Sequence, residues 1–154
     1  MMNELAFRSF QLTASGFCCS QIIVKMALDD EETENIDLLR AVRGMCNGLA
    51  GTQKSCGILT GALCVIGLYA GNGREGEFPD VAYGTMIKKF MEWFEGQFES
   101  TECYDIIGVQ QFTDENTNQD YMVKCGDILG ESYLKVRELL EEHGYEYGNR
   151  EDKL

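Results

Sequence analysis

The chain has 154 residues, with 26 acidic and 13 basic side chains, a formal net charge of −13 and a hydrophobic content of 44%. That length supports one folded domain with a buried core. The acidity excludes nucleic acid and anionic membrane surfaces as partners, because both would repel it, and the apolar fraction excludes a disordered acidic tail.

The pattern reads as helical almost throughout. Leu5, Phe7 and Phe10 predict a short first helix. A second is predicted from Ser15 or Gly16, with Phe17, Cys18, Ile22, Val24 and Met26 as its apolar set, ending at the acidic run Asp29 to Glu32. Asn35 or Asp37 caps a third, with Ile36, Leu39, Val42 and Met45 on one face. Asn47 to Lys54 reads as a loop. Cys56 to Tyr69 is apolar on nearly every side, the signature of a buried central helix, with Ser55 as its natural cap. It carries Gly57, Gly61 and Gly67, each costing about 1 kcal/mol against Ala, so another backbone or a cofactor is expected to pack very close.

Asn72 to Glu77 is a Gly-rich turn, and Pro79 is expected to open a fifth helix carrying Tyr83, Met86, Ile87, Phe90, Trp93, Phe94 and Phe98. A short helix from about Glu102 to Gln110, a loop from Phe112 to Asn118 and a last helix from about Gln119 to His143 complete the chain. No segment alternates with period two. The expected architecture is all-α: one domain over residues 1–154, a bundle of five to seven helices around one buried helix.

Seven cysteines and seventeen glycines stand out against a single Pro and a single His, His143. One histidine supports neither a hydrolytic triad nor a multi-His metal site, and no phosphate-binding Gly motif is present. The carboxylates fall in runs that read as solvated faces. No secretory leader is visible, and the longest apolar run, Ile58 to Ala70, is shorter than the ~18 residues of a membrane span. The expected compartment is the cytoplasm, where cysteines are more often buried, metal-bound or redox-active than locked in disulfides.

No two cysteines form a CxxC pair. Cys19, Cys56 and Cys103 each fall at a predicted helix start, where the partial positive charge of the backbone favours thiolate over thiol. Cys125 falls on the apolar stripe of the last helix. Cys18, Cys46 and Cys64 read as packing residues, since Cys serves as a small hydrophobe.

The segments Gly16-Phe17-Cys18-Cys19-Ser20-Gln21, Ser55-Cys56-Gly57-Ile58-Leu59-Thr60-Gly61-Ala62-Leu63 and Glu102-Cys103-Tyr104-Asp105-Ile106-Ile107-Gly108, followed by Cys125, resemble the C_GCAxxG_C_C family of redox-active proteins over about residues 13–140. The family's first cysteine precedes a small residue and then Gln or Glu, which places it on Cys19; the others fall on Cys56, Cys103 and Cys125. Ile58 stands where the motif has Ala. The resemblance implies a mostly helical fold and a redox role for these four cysteines.

Three chemistries suit them. The first is an iron–sulfur cluster held by Cys19, Cys56, Cys103 and Cys125, with Gly57 and Gly61 giving it room and electrons passing to a partner oxidoreductase. The second is thiol–disulfide exchange, with Cys56 attacking and Cys19 or Cys18 resolving. The third is a structural zinc site or a helical binding module without turnover. The expected partner is a redox protein, with a homodimer through the Tyr83 to Phe98 stripe as a further expectation.

Overall fold

The computed structural model describes residues 2–108 and 119–150. It is all-α: helices α1 (Met2–Ala14), α2 (Cys19–Asp30), α3 (Ile36–Val42), α4 (Gly57–Ala70), α5 (Tyr83–Phe98), α6 (Cys103–Ile107) and α7 (Gln119–Glu142). A single 3₁₀ turn, Arg43–Met45, extends α3. Among the described residues the only strand-like pairing is one antiparallel bridge, Ser55 with Glu102. No helix of the described residues is long and apolar enough to cross a membrane.

The expected central helix is α4, which packs against α2, α5 and α7. Ile58, Leu59, Ala62, Val65, Ile66, Tyr69 and Ala70 are all buried along it. Its close neighbour α2 is almost as deeply placed, with Ser20 to Val24 and Met26 to Leu28 buried. Gly61 makes this pairing possible. A Cβ there would lie 2.6 Å from Ile23 Cγ2 and 2.8 Å from the Ser20 carbonyl oxygen, so the backbone of α2 occupies the space a side chain would need. Gly67 has no such neighbour. The aromatic stripe of α5 is core: Met86, Phe90 and Phe94 are buried, with Trp93 and Phe98 packed on their edges. Each such ring contributes about 2–3 kcal/mol of burial free energy before entropy is counted.

Several boundaries differ from the sequence expectation. Helix α2 begins at Cys19, because Ser15 and Gly16 instead close α1; the Gly16 amide bonds back to the Thr13 carbonyl with φ at +99°. Asn35, not Asp37, caps α3, its side chain accepting from the Leu38 amide at 3.0 Å. The cap residue of α4 is Cys56 itself, since Ser55 is engaged in the bridge to Glu102. Helix α5 starts at Tyr83, so Pro79 precedes the helix and does not open it. Gln110 and the expected loop from Phe112 to Asn118 lie outside the described residues. His143 is half-buried, its Nδ1 lying 2.9 Å from the Leu139 carbonyl oxygen.

Candidate functional site

The beginnings of α2, α4 and α6 meet at one end of the bundle, and the connecting backbone fixes them there. The Cys56 amide donates to the Thr101 carbonyl at 2.8 Å, the Cys103 amide to the Lys54 carbonyl at 2.6 Å and the Tyr104 amide to the Gln53 carbonyl at 3.0 Å. These bonds lay the start of α6 against the entry to α4, which sets Cys103 beside Cys56. Gly57 closes the arrangement. A Cβ on it would lie 2.6 Å from Cys19 Sγ and 2.8 Å from the Met45 carbonyl oxygen. The room at Gly57 is thus taken by the Cys19 sulfur, as the room at Gly61 is taken by α2. Ile58 turns the other way and is buried in the core.

Cys19, Cys56 and Cys103 stand at helix beginnings as expected, but the expected electrostatics reverse. Burial pushes the Cys56 thiol up to about 12 from an ordinary 9.0. The amides of Leu59 and Ile58 oppose the rise, while the neighbouring Cys19 and Cys103 thiols add to it. Cys103 is pushed up to about 11, again by burial first, against the Gln53 side chain and with help from Cys19 and Glu102. Cys19 is raised by burial too, yet it has the most counterweights: the amides of Asn47, Ser20 and Cys19 and the charge of Arg43. Desolvation penalises a thiolate more than a few helix-end amides favour it. Cys56 is therefore a protonated thiol at neutral pH, not the low-pKa attacker the sequence suggested.

Cys125 stands half-buried on α7, packed against the core. Cys19 and Cys103 add to the rise at Cys56, and Cys19 adds to the rise at Cys103. A four-cysteine ligand cage needs four sulfurs about 2.3 Å from one metal centre. Among the described residues no group of three or more His, Cys, Asp or Glu side chains is placed to hold a metal ion. As arranged, the four cysteines do not form such a cage among the described residues.

What the sequence reading passed over is a pair. Cys18 and Cys46, expected as packing residues, bring their sulfurs to bonding distance with Cα atoms 6.0 Å apart. That separation lies inside the 4.4–6.8 Å a disulfide spans, so the bond asks for no backbone movement. Cys18 is the half-buried cap residue of α2, and Cys46 follows the 3₁₀ turn, 7% exposed. Two buried polar side chains dock these segments: Ser20 Oγ donates to the Val42 carbonyl at 2.9 Å, and Gln21 Nε2 donates to the Leu39 carbonyl at 3.0 Å. Arg43 completes the clamp by donating to Gln21 Oε1 at 3.0 Å and to the Gly16 carbonyl at 3.2 Å. Ser20 and Gln21, adjacent polar residues that are both buried in the first turns of α2, carry the available signal. Cys64 is half-buried on α4, away from this end, along a cleft it shares with Leu68, Arg74 and Arg150.

Sulfur chemistry concentrated at one helix junction, in an all-α bundle, agrees with the resemblance carried by the cysteine segments. No curated protein and no solved structure matches the chain. A family model does match it, over residues 17–139, under the description Putative redox-active protein (C_GCAxxG_C_C), and the chain belongs to that family.

Proposed function

We propose that the protein works by thiol–disulfide exchange, with Cys18 and Cys46 as its two-electron couple. The observation that carries this reading is the bonded spacing of these two sulfurs at the edge of a cluster of free thiols. Cys18 is the more exposed residue of the pair, so a partner's thiolate attacks there. The Cys18–Cys46 bond breaks, a mixed disulfide forms on Cys18, and Cys46 leaves as a thiolate. A second partner thiol then attacks the mixed disulfide. The partner leaves as a disulfide, and Cys18 and Cys46 hold the two electrons and two protons as thiols.

The surroundings suit both states. Ser20 Oγ lies 3.1 Å from Cys46 Sγ and can donate to the departing thiolate. Once Cys46 is protonated, its S–H points to Ser20 Oγ while Ser20 donates to the Val42 carbonyl. The reduced Cys18 has an acceptor in Gln21 Oε1 at 3.5 Å. A cytoplasmic setting belongs to the same reading, because in a reducing compartment a disulfide is a state that forms and is reduced in turn. The partner is a protein dithiol or disulfide, and the net charge of −13 favours one with a basic docking face.

The test is anaerobic purification followed by metal analysis, visible absorbance and reaction of the reduced protein with a model disulfide. Colourless, metal-free protein that reduces the disulfide, and that stalls as a mixed disulfide on Cys18 in Cys46→Ser, is expected. Brown protein with bound iron and sulfide, or colourless protein with stoichiometric zinc, would overturn the reading in favour of a metal centre.

A further inference from the structure

We propose that Cys19 is an internal resolving thiol, which takes the disulfide inward from Cys18–Cys46 by attacking the Cys46 sulfur. This rests on the exchange reading above and adds a third residue to it. The geometry at Gly57 carries the inference. The point where its Cβ would stand is 2.6 Å from Cys19 Sγ and 3.5 Å from Cys46 Cα. The missing side chain therefore leaves one small space that the Cys19 sulfur fills and Cys46 borders. The Met45 carbonyl oxygen, 2.8 Å from the same point, borders that space as well.

Chain geometry selects Cys46, not Cys18, as the target. Cys18 and Cys19 are consecutive, and consecutive Cα atoms stand about 3.8 Å apart, below the range an ordinary disulfide spans. Cys18 is also extended, with φ −110° and ψ 175°, while Cys19 already belongs to the helix.

Burial raises the Cys19 thiol, so its thiolate is a minor form, and the groups around it offset part of that rise. The amides of Asn47, Ser20 and Cys19 face its sulfur, and the Arg43 guanidinium adds a positive charge. The Asn47 amide is held there by an unusual loop. Asn47, Gly48, Leu49, Ala50 and Gly51 all have positive φ, from +52° to +77°. Left-handed backbone costs about 1–2 kcal/mol per non-Gly residue, and such segments persist where the surrounding structure fixes them, often at working sites. Here the Ala50 amide bonds to the Gly44 carbonyl at 2.8 Å and the Gly51 amide to the Cys46 carbonyl at 3.2 Å.

The step balances without an external reagent. The Cys19 thiol gives up its proton, and its sulfur forms a bond to Cys46 Sγ. The Cys18–Cys46 bond breaks, and Cys18 leaves with the electron pair and takes up the proton. One disulfide and one thiol become a different disulfide and thiol, and nothing is oxidised overall. Two consequences follow for the site. The half-buried Cys18 becomes a free thiol at the edge, available to a partner. The disulfide moves next to Cys56 and Cys103, whose thiols already sense Cys19.

The test is disulfide mapping by mass spectrometry after acid quench and alkylation. Oxidised wild-type protein is expected to show mostly Cys18–Cys46, with a minor fraction of Cys19–Cys46 in which Cys18 is labelled. In Cys18→Ser, checked for helix content by circular dichroism, the Cys19–Cys46 bond is expected to become the main species. In Cys19→Ser, the Cys18–Cys46 bond should remain and labelled Cys18 should vanish from the oxidised fraction. Cys46 left as a free thiol in Cys18→Ser, or labelled Cys18 persisting in oxidised Cys19→Ser, would overturn the inference. Wild-type protein that never forms Cys18–Cys46 would instead overturn the exchange reading beneath it.

Discussion

Alkylation of Cys56 probes directly how burial sets the chemistry of the cluster. The thiol is 6% exposed, and burial pushes it up to about 12 from 9.0. Near neutral pH that leaves about one molecule in 10⁵ as thiolate, against about one in 10² for an ordinary cysteine, a deficit of roughly 10³. A more basic thiolate is also a better nucleophile; with a Brønsted slope of about 0.4–0.5, three units return roughly 20-fold. The net expectation is that Cys56 reacts with iodoacetamide about 50-fold more slowly than a cysteine in the unfolded chain, before any further loss from restricted access. The assay is site-resolved peptide mass spectrometry over time, with fully unfolded protein as the reference. The slowing should ease only as the solution becomes strongly alkaline. If Cys56 instead labels fastest of the free cysteines, or its rate levels off below about pH 9, the helix start has outweighed burial and the reasoning fails.

Three further outcomes follow from the same structure. Cys56 is raised in the folded state, so its neutral form is the one the fold prefers; the resulting stability is complete below the unfolded value of 9.0 and is lost as pH climbs toward about 12. Denaturation midpoints should fall across that window by the equivalent of about 4 kcal/mol, and Cys56→Ala should flatten the slope. Gly61→Ala adds a Cβ 2.8 Å from the Ser20 carbonyl oxygen and 3.2 Å from Ser20 Cα, which forces α2 from α4. Overpacking of this kind costs about 1–3 kcal/mol against about 1 kcal/mol of helix propensity gained, so Tm should drop by a few degrees; an unchanged or higher Tm would contradict the close packing. The Cys18–Cys46 bond closes a separation of 28 residues, for which loop-closure entropy gives about 3.5 kcal/mol. Urea unfolding with and without a reductant should show a shift of that order, and coincident curves would contradict a native disulfide.

The sequence made the fold legible because its apolar residues recur at helical spacing. The run from Ile58 to Ala70 could be nothing but a buried helix, and the aromatic stripe of α5 is as deep as its spacing implied. Boundaries were less legible, since they depend on where caps find partners. Ser55 has the chemistry of a cap but is drawn into a bridge with Glu102, and Cys56 takes its place.

Within the site, the glycine spacing after Cys56 announced a close approach, and the structure supplies it through Cys19 Sγ at Gly57 and α2 at Gly61. The helix-start positions of Cys19, Cys56 and Cys103 were readable too. Their protonation was not, because helix-end charge is a local property while desolvation depends on the whole bundle. Cys46 escaped for a similar reason. Its meeting with Cys18 depends on α3 docking against α2 through Ser20 and Gln21, a tertiary fact that no spacing of 28 residues encodes.

The central claim is that Cys18 and Cys46 form a reversible couple. Its most direct measurement is a redox titration in glutathione buffers of graded poise, quenched with acid and read by mass spectrometry at each cysteine. Cys18 and Cys46 are expected to titrate together as a single two-electron transition, reached from either direction, while Cys64 stays reduced throughout. A Cys18 and Cys46 that remain separately reduced at every poise, or that never reduce in the folded protein, would contradict it.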